Sequence, residues 1–163
     1  MSMDFDKRLE RAIVRGEQAR DTRARAEADK AMTDEQFRAL HSKYRLETSE
    51  YIETNLQKLA DHFPGFRFQS VIDEGDWGGR ITRDDLNLGR GRAPNSQYSR
   101  LEILVRPFSS LHVIELNVKA SIRNKEVFNR MRYQMLNQFD PQIFTDLIDL
   151  WILEYAEMYA AEA

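Results

Sequence analysis

The chain contains no cysteine, and this absence removes several chemical classes at once. Disulfide bonds, thiolate zinc sites, iron–sulfur clusters and cysteine nucleophiles all require a thiol. The three histidines, His41, His62 and His112, are far apart in sequence, which argues against a metal site built from histidine alone. A histidine that stands alone in a sequence is more often structural than catalytic. We therefore expect no resident metal and no cofactor.

Long hydrophobic runs are also missing. The most apolar window, residues 143–159, is interrupted by four carboxylates, whereas a membrane-spanning helix needs about 20 mostly apolar residues. The first residues are charged from the start and lack the apolar core of a signal peptide. The sequence thus predicts a cytoplasmic protein that does not enter a membrane.

The chain also has little excess charge of either sign, since 24 Lys and Arg against 27 Asp and Glu leave a net charge of −3. Such a balance creates no overall field that would favour nucleic acid or a membrane surface. Local imbalances remain: residues 64–132 hold twelve basic and eight acidic groups, and residues 133–163 hold six acidic and no basic ones. These regions could attract each other within or between molecules, although solvated faces of different charge are the commoner explanation.

What the chain does contain suits one folded domain with a charged extension. At 163 residues and 42% hydrophobic content, it has enough apolar material for a single core. Residues 4–31 lack proline and are rich in Ala, Arg, Glu, Lys and Gln, which predicts a helix. Its apolar stripe is narrow, and a helix this polar must be held by another surface or fray. We predict a charged helical arm at 1–32 and a single α+β domain at 33–163.

The second helix is predicted to begin at Thr33, and the sequence leaves open whether residues 31–33 are a hinge between two helices or a kink in one long helix. The segment Thr33-Asp34-Glu35-Gln36 matches the capping box, in which a hydroxyl at the N-cap is followed three residues later by Glu or Gln. Apolar residues recur at spacings of three and four as far as about Asp61, which indicates one buried face. Pro64-Gly65 then ends the helix.

Four strands are predicted after this helix, because the hydrophobic period changes from about 3.6 to two. They lie near residues 66–73, 77–82, 98–108 and 111–122, with a turn at 74–76 and an exposed loop at 84–97. Short turns between successive strands predict an antiparallel meander.

Two C-terminal helices complete the predicted fold. Asn124 can cap a helix as far as about Phe139, with Val127, Phe128, Met131, Met135 and Leu136 inward. Asp140-Pro141 opens a second helix, since Asp at the N-cap and Pro at the first helical position are preferred. The prediction is an α+β fold: a four-stranded antiparallel meander flanked by two N-terminal and two C-terminal helices.

The favoured function is that of a non-enzymatic protein-interaction domain of unknown pathway, which binds a protein partner or, as the favoured case, associates with itself. The arm has too little apolar surface to form a core alone, and the last helix is apolar over more than one face. The predicted contact residues are Phe5, Leu9 and Ile13 in the arm and Leu150 and Trp151 in the last helix.

The first alternative is nucleic-acid binding through residues 80–106. Arginines beside glycines and an aromatic ring suit phosphates and stacked bases, although Gly89-Arg90-Gly91 lacks the lysine and hydroxyl ending of a phosphate loop. The candidate residues are Arg80, Arg83, Arg90, Arg92, Tyr98 and Arg100.

The second alternative is an enzyme or a small-ligand protein with a pocket between sheet and helices near Trp77. Trp77 beside two glycines fits a ligand site or a core aromatic equally well. Glu102, Glu115 and Lys119 on neighbouring strands suggest a metal-dependent nuclease, but Asn117 stands where a second carboxylate is needed. Cross-strand ion pairs explain the pattern better, so no catalytic residue is predicted.

Overall fold

A computed structural model describes residues 2–30, 33–87 and 95–162. The described residues form three α-helices, one 3-10 turn and a five-stranded antiparallel sheet. The elements are α1 (Ser2–Lys30), α2 (Asp34–His62), β1 (Arg67–Asp73), β2 (Asp76–Asn87), β3 (Asn95–Val105), β4 (Val113–Ile122), β5 (Lys125–Met135), the 3-10 turn (Leu136–Gln138) and α3 (Pro141–Glu162). The predicted α+β class is confirmed, but four strands and two C-terminal helices are wrong.

The chain divides into two compact units, Met1–Gln36 and Phe37–Ala163. The first unit contains α1 and the start of α2, and the second contains the rest of α2, the sheet and α3. Each unit is described by itself below.

The sheet is a meander in which the strands pair in chain order, β1-β2-β3-β4-β5. The hairpins β1–β2 and β4–β5 close through two residues with positive φ, Glu74-Gly75 and Arg123-Asn124. Such turns match the right-handed twist of the flanking strands. The turn predicted around Glu74-Gly75 is thus confirmed.

The segment predicted as a helix from Asn124 is strand β5, so that prediction is wrong. Asn124 does not cap a helix; it has a φ of 69° in the hairpin turn, a conformation that asparagine tolerates. Its backbone N–H donates to the Tyr98 carbonyl (2.7 Å), and its side-chain oxygen accepts from the Tyr98 N–H (2.8 Å). The apolar spacing that suggested a helix therefore belongs to a strand that the pairing with β4 stabilises.

Helices α2 and α3 begin where the sequence predicted. The Gln36 N–H donates to the Thr33 hydroxyl (3.2 Å), and the Gln36 side chain accepts from the Thr33 N–H (2.9 Å), so the capping box is present. The Asp140 carboxylate accepts the Gln142 N–H (3.0 Å) in front of Pro141, which caps α3.

Both helices pack on the same face of the sheet and run parallel to each other. The contacts show the parallel direction, because later residues of α2 contact later residues of α3. The Tyr51 hydroxyl donates to Asp149, and the ring centroid of Phe63 lies 5.0 Å from that of Tyr159. Beneath them, buried side chains alternate along β3 and β4 and align across the register, as in the row Ile81, Leu101, Ala120 and Phe128. Burial of this face forms the core.

Gly78 and Gly79 bring β2 close to its neighbours. A Cβ atom on Gly78 would lie 2.0 Å from the carbonyl oxygen of Ile103, and one on Gly79 would lie 3.0 Å from Leu56 Cδ1 of α2. Trp77 is half-buried beside them, with the Arg45 guanidinium 3.9 Å above its ring. This arrangement supports a packing role for the Trp77-Gly78-Gly79 segment.

Candidate interaction surfaces

Helix α1 carries an exposed apolar stripe. Phe5, Leu9 and Ile13 follow one another at intervals of four residues and are 65%, 48% and 53% exposed. All side chains from residue 4 to residue 27 are exposed. A stripe of large apolar side chains in contact with water is the feature expected of a helix that pairs with another surface.

The two edges of this stripe differ in charge. Successive residues of a right-handed helix are turned clockwise by about 100° when the helix is viewed from its N-terminus. In α1 this rotation places basic residues anticlockwise of the stripe and acidic residues clockwise of it. The basic edge contains Arg8 and Arg15, with Arg11 behind them, and the acidic edge contains Asp6, Glu10 and Glu17.

A groove of about 400 Å³ runs between the C-terminal half of α2 and the middle of α3. Its apolar lining consists of Leu59, Phe63, Ile152, Leu153 and Ala156. Leu153 is 67% exposed although it lies in this lining. This apolar lining between two helices suits the face of an amphipathic helix.

The polar groups of the groove differ between its two walls. The α2 wall contributes Asn55, Lys58 and His62, and the α3 wall contributes Asp149. The Tyr51 hydroxyl donates to Asp149 (2.6 Å), and this hydrogen bond, followed by burial, raises the pKa of Tyr51 to about 12. The α2 wall is thus basic, and the α3 wall is acidic.

The two contact residues predicted in the last helix have different positions. Leu150 is 56% exposed on the outer face of α3, next to Leu153. Trp151 is 3% exposed and belongs to the core, so in the folded domain its side chain offers no contact surface. The outer face of α3 also carries Asp146 and Glu157, which places apolar and acidic side chains together.

The arginines considered for nucleic-acid binding are partly neutralised on the sheet. Arg80 and Arg100 both donate to the same oxygen of Glu102, at 2.6 Å and 2.5 Å. Burial alone would raise the pKa of Glu102, but these two hydrogen bonds outweigh it and hold the pKa below its usual range. On the face opposite the helices, Arg80, Glu102 and Arg100 therefore form an ion-pair cluster in which one carboxylate serves two arginines.

The other described candidates for this alternative lie on different faces of the sheet. Tyr98 is exposed on the face of the sheet away from the helices, whereas Arg83 follows Ile81 on the helix-facing side of β2. Arg90 and Arg92 lie outside the described residues. Among the described candidates, Tyr98 lies on the same face as Arg80 and Arg100, two residues before Arg100 on β3.

The carboxylates that suggested a nuclease also have cationic partners. Arg106 donates to both oxygens of Asp76 (2.9 Å each) and lies 3.8 Å from Glu115. Lys119 lies opposite Glu102 in the β3–β4 register. The arrangement is that of cross-strand ion pairs, which the sequence favoured.

The fold shifts the pKa of His41 clearly. His41 is 1% exposed, and its Nε2–H donates to the carbonyl oxygen of Arg106 (3.1 Å). Burial lowers its pKa, against the opposing effect of this hydrogen bond and with a smaller lowering from Arg45. A neutral ring with a satisfied donor, packed edge-on against Phe108, is a structural group.

The described parts of the chain contain neither a cluster of metal ligands nor a helix that could span a membrane. No group of three or more histidine or carboxylate side chains there is placed to hold a metal ion. Among the helices that the structure describes, none combines the length and the apolar character needed to cross a bilayer.

Sequence reasoning missed the groove and an exposed apolar row on β5. Met131, Tyr133 and Met135 alternate along β5 and are exposed on the face away from the helices. Their period of two was a usable signal, but the spacing of four between Met131 and Met135 also fits a helix. The groove has a weaker signal, the wide apolar face of α3, and exists only because α2 lies beside it.

Comparison with models of known protein families gave no match, and neither curated proteins nor solved structures matched the chain at a significant level.

Proposed function

We propose that the protein is a non-enzymatic, cytoplasmic interaction domain that self-associates, with the stripe of Phe5, Leu9 and Ile13 on α1 as its principal contact surface. The single observation that carries the proposal is the exposure of these three large apolar side chains on one face of a 29-residue helix. Isolated polar helices are marginal in water, so pairing would stabilise α1. Leu150, exposed on α3, belongs to a second apolar surface.

The structural roles of the polar clusters support the non-enzymatic part of the proposal. Glu102 is held by two arginines, Asp76 is held by Arg106, and His41 is buried with its donor satisfied. The nucleic-acid alternative for residues 80–106 stays a prediction, and it loses support because two of its arginines, Arg80 and Arg100, share the carboxylate of Glu102. The pocket predicted near Trp77 also loses support, since Arg45 covers the ring.

The proposal is tested by substituting the stripe and measuring the association state of the full chain. Ile13→Asp places a carboxylate in the stripe and removes an apolar contact of about 1–2 kcal/mol. Val14→Asp is a matched control, because Val14 is 50% exposed and lies about 140° around α1 from the middle of the stripe. Sedimentation equilibrium should show a dimer or larger assembly for the wild type and for Val14→Asp.

The Ile13→Asp variant should raise the dissociation constant of self-association at least about 30-fold, which corresponds to about 2 kcal/mol. Far-UV circular dichroism checks that the sheet and helices are retained in each variant. A wild-type protein that sediments as a monomer at all accessible concentrations would refute the proposal, as would equal effects of the two substitutions.

A further inference from the structure

We propose that the groove between α2 and α3 of one copy receives helix α1 of a second copy. This inference rests on the proposed self-association and names the surface that α1 contacts. The contact is of the helix-in-groove kind, in which an amphipathic helix lays its apolar face between two others. Because each copy carries one α1 and one groove, a reciprocal exchange closes at two copies.

The lengths of the two surfaces agree. The stripe from Phe5 to Ile13 covers nine residues, and the α2 side of the groove from Asn55 to Phe63 also covers nine, so each contains eight helical rises. At a rise of 1.5 Å per residue, each is about 12 Å long. The apolar side chains of the stripe can therefore meet the apolar lining over its full extent.

The charges of the two surfaces agree as well. The basic edge of α1, with Arg8 and Arg15, complements the acidic α3 wall, where Asp149 is continued by Asp146 and Glu157. The segment 133–163 contains six acidic residues and no basic one. The acidic edge of α1 complements the α2 wall, which carries Lys58 and His62.

The order of the charges also determines the direction of α1. Both helices are right-handed, so their buried residues determine which side of each helix faces the groove. When α2 and α3 are viewed from their N-termini with the sheet below them, the groove lies to the right of α2 and to the left of α3. If α1 runs in the same direction as these helices and its stripe faces the groove, its acidic edge lies on the left, beside α2. Its basic edge then lies on the right, beside α3. We therefore expect α1 to run parallel to α2 and α3, since the opposite direction would bring like charges together.

Substitution in the groove separates this inference from the proposed function. Leu153→Asp places a carboxylate in the lining, and Leu46→Asp is the control, because Leu46 is an exposed leucine on the opposite side of α2. In sedimentation equilibrium, Leu153→Asp should weaken self-association at least about 30-fold and Leu46→Asp should leave it unchanged. If Ile13→Asp gives a monomer while Leu153→Asp associates like the wild type, the self-association stands and the groove is not its receptor.

Mixing the two variants gives a second test. An Ile13→Asp copy keeps an intact groove, and a Leu153→Asp copy keeps an intact α1 stripe, so the mixture can form one of the two contacts. We expect a heterodimer in the mixture, weaker than the wild-type dimer, from two variants that are each monomeric. Two variants that stay monomeric when mixed would overturn the inference, because an intact α1 stripe would then fail to bind an intact groove.

The direction of α1 can be tested by cross-linking, because the chain has no cysteine of its own. Copies with Arg15→Cys are mixed under oxidising conditions with copies carrying Glu157→Cys or Asp146→Cys, both at exposed positions of α3. A parallel α1 predicts a mixed disulfide with Glu157→Cys, detected by intact mass, and little with Asp146→Cys. The reverse preference would overturn the parallel arrangement, and no preference would overturn docking in the groove.

Discussion

A methyl group added to Gly78 should destabilise the sheet domain strongly. The Cβ atom of Gly78→Ala would lie 2.0 Å from the carbonyl oxygen of Ile103 and 2.9 Å from the Cα atom of Leu104. Both atoms belong to the backbone of β3, so no side-chain rotation can relieve the contact, and β2 and β3 must move apart. Overpacking of a well-packed core costs about 1–3 kcal/mol, and we expect about 3 kcal/mol here because the clash is with backbone.

The loss is large against a stability of about 5–15 kcal/mol for a typical domain. It corresponds to a fall of roughly 10 °C in the melting temperature for a domain of this size. The assay is urea unfolding followed by tryptophan fluorescence, since Trp77 lies next to the substituted residue and Trp151 lies in the core.

Gly16→Ala is the control for this measurement. Gly16 lies in α1 and an added Cβ would meet nothing within 4 Å, so the substitution should leave the unfolding of the sheet domain unchanged. It should raise helix content, because glycine within a helix costs about 1 kcal/mol relative to alanine. If Gly78→Ala unfolds within about 0.5 kcal/mol of the wild type, which is the range of neutral surface substitutions, the close approach of β2 to β3 is not as described.

Two further predictions concern pH. The pKa of His41 is lowered in the folded state, below the unfolded value of 6.5. The unfolded chain therefore binds a proton more readily than the folded protein does. As a result, the free energy of unfolding should fall as the pH drops below 6.5. His41→Gln should flatten this dependence, and an unchanged slope would contradict the assignment. The pKa of Glu102 is also lowered, from 4.5, so its contribution is present above pH 4.5 and is lost below it. Glu102→Gln should reduce the loss of stability in acid. At pH 7 it should lower the free energy of unfolding by about 1–2 kcal/mol, because Arg80 and Arg100 lose a charged acceptor. A variant that denatures like the wild type both in acid and at pH 7 would argue against the ion-pair cluster.

Local patterns predicted much of the fold correctly. The capping box at Thr33 and the Asp140-Pro141 opening located the starts of α2 and α3, because a helix N-terminus is stabilised by side chains within three residues of it. The Glu74-Gly75 turn was also predictable, since glycine tolerates positive φ. These signals act over a few residues, so the sequence contains them in full.

Strand β5 shows where local patterns fail. The positions of Val127, Phe128, Met131 and Met135 satisfy both a helical and a strand period, and helix propensity does not separate the two. The pairing of β5 with β4, which brings Ala120 opposite Phe128, decides between them. That pairing depends on a turn in which Arg123 and Asn124 have positive φ. Asparagine tolerates this conformation, but the neighbouring residues gave no signal for a turn at this position.

The amino-acid sequence by itself determined the α+β class, the cysteine-free chemistry, the balanced charge and the narrow apolar stripe of Phe5, Leu9 and Ile13. All of these depend on composition or on spacing along one helix. Only the tertiary structure decided that Trp151 is buried, that Glu102 joins Arg80 to Arg100, and that α2 and α3 form an apolar groove. Each of these depends on residues that are distant in the chain and meet only when the helices pack together on one face of the sheet, because burial and hydrogen bonding are set by neighbours in space.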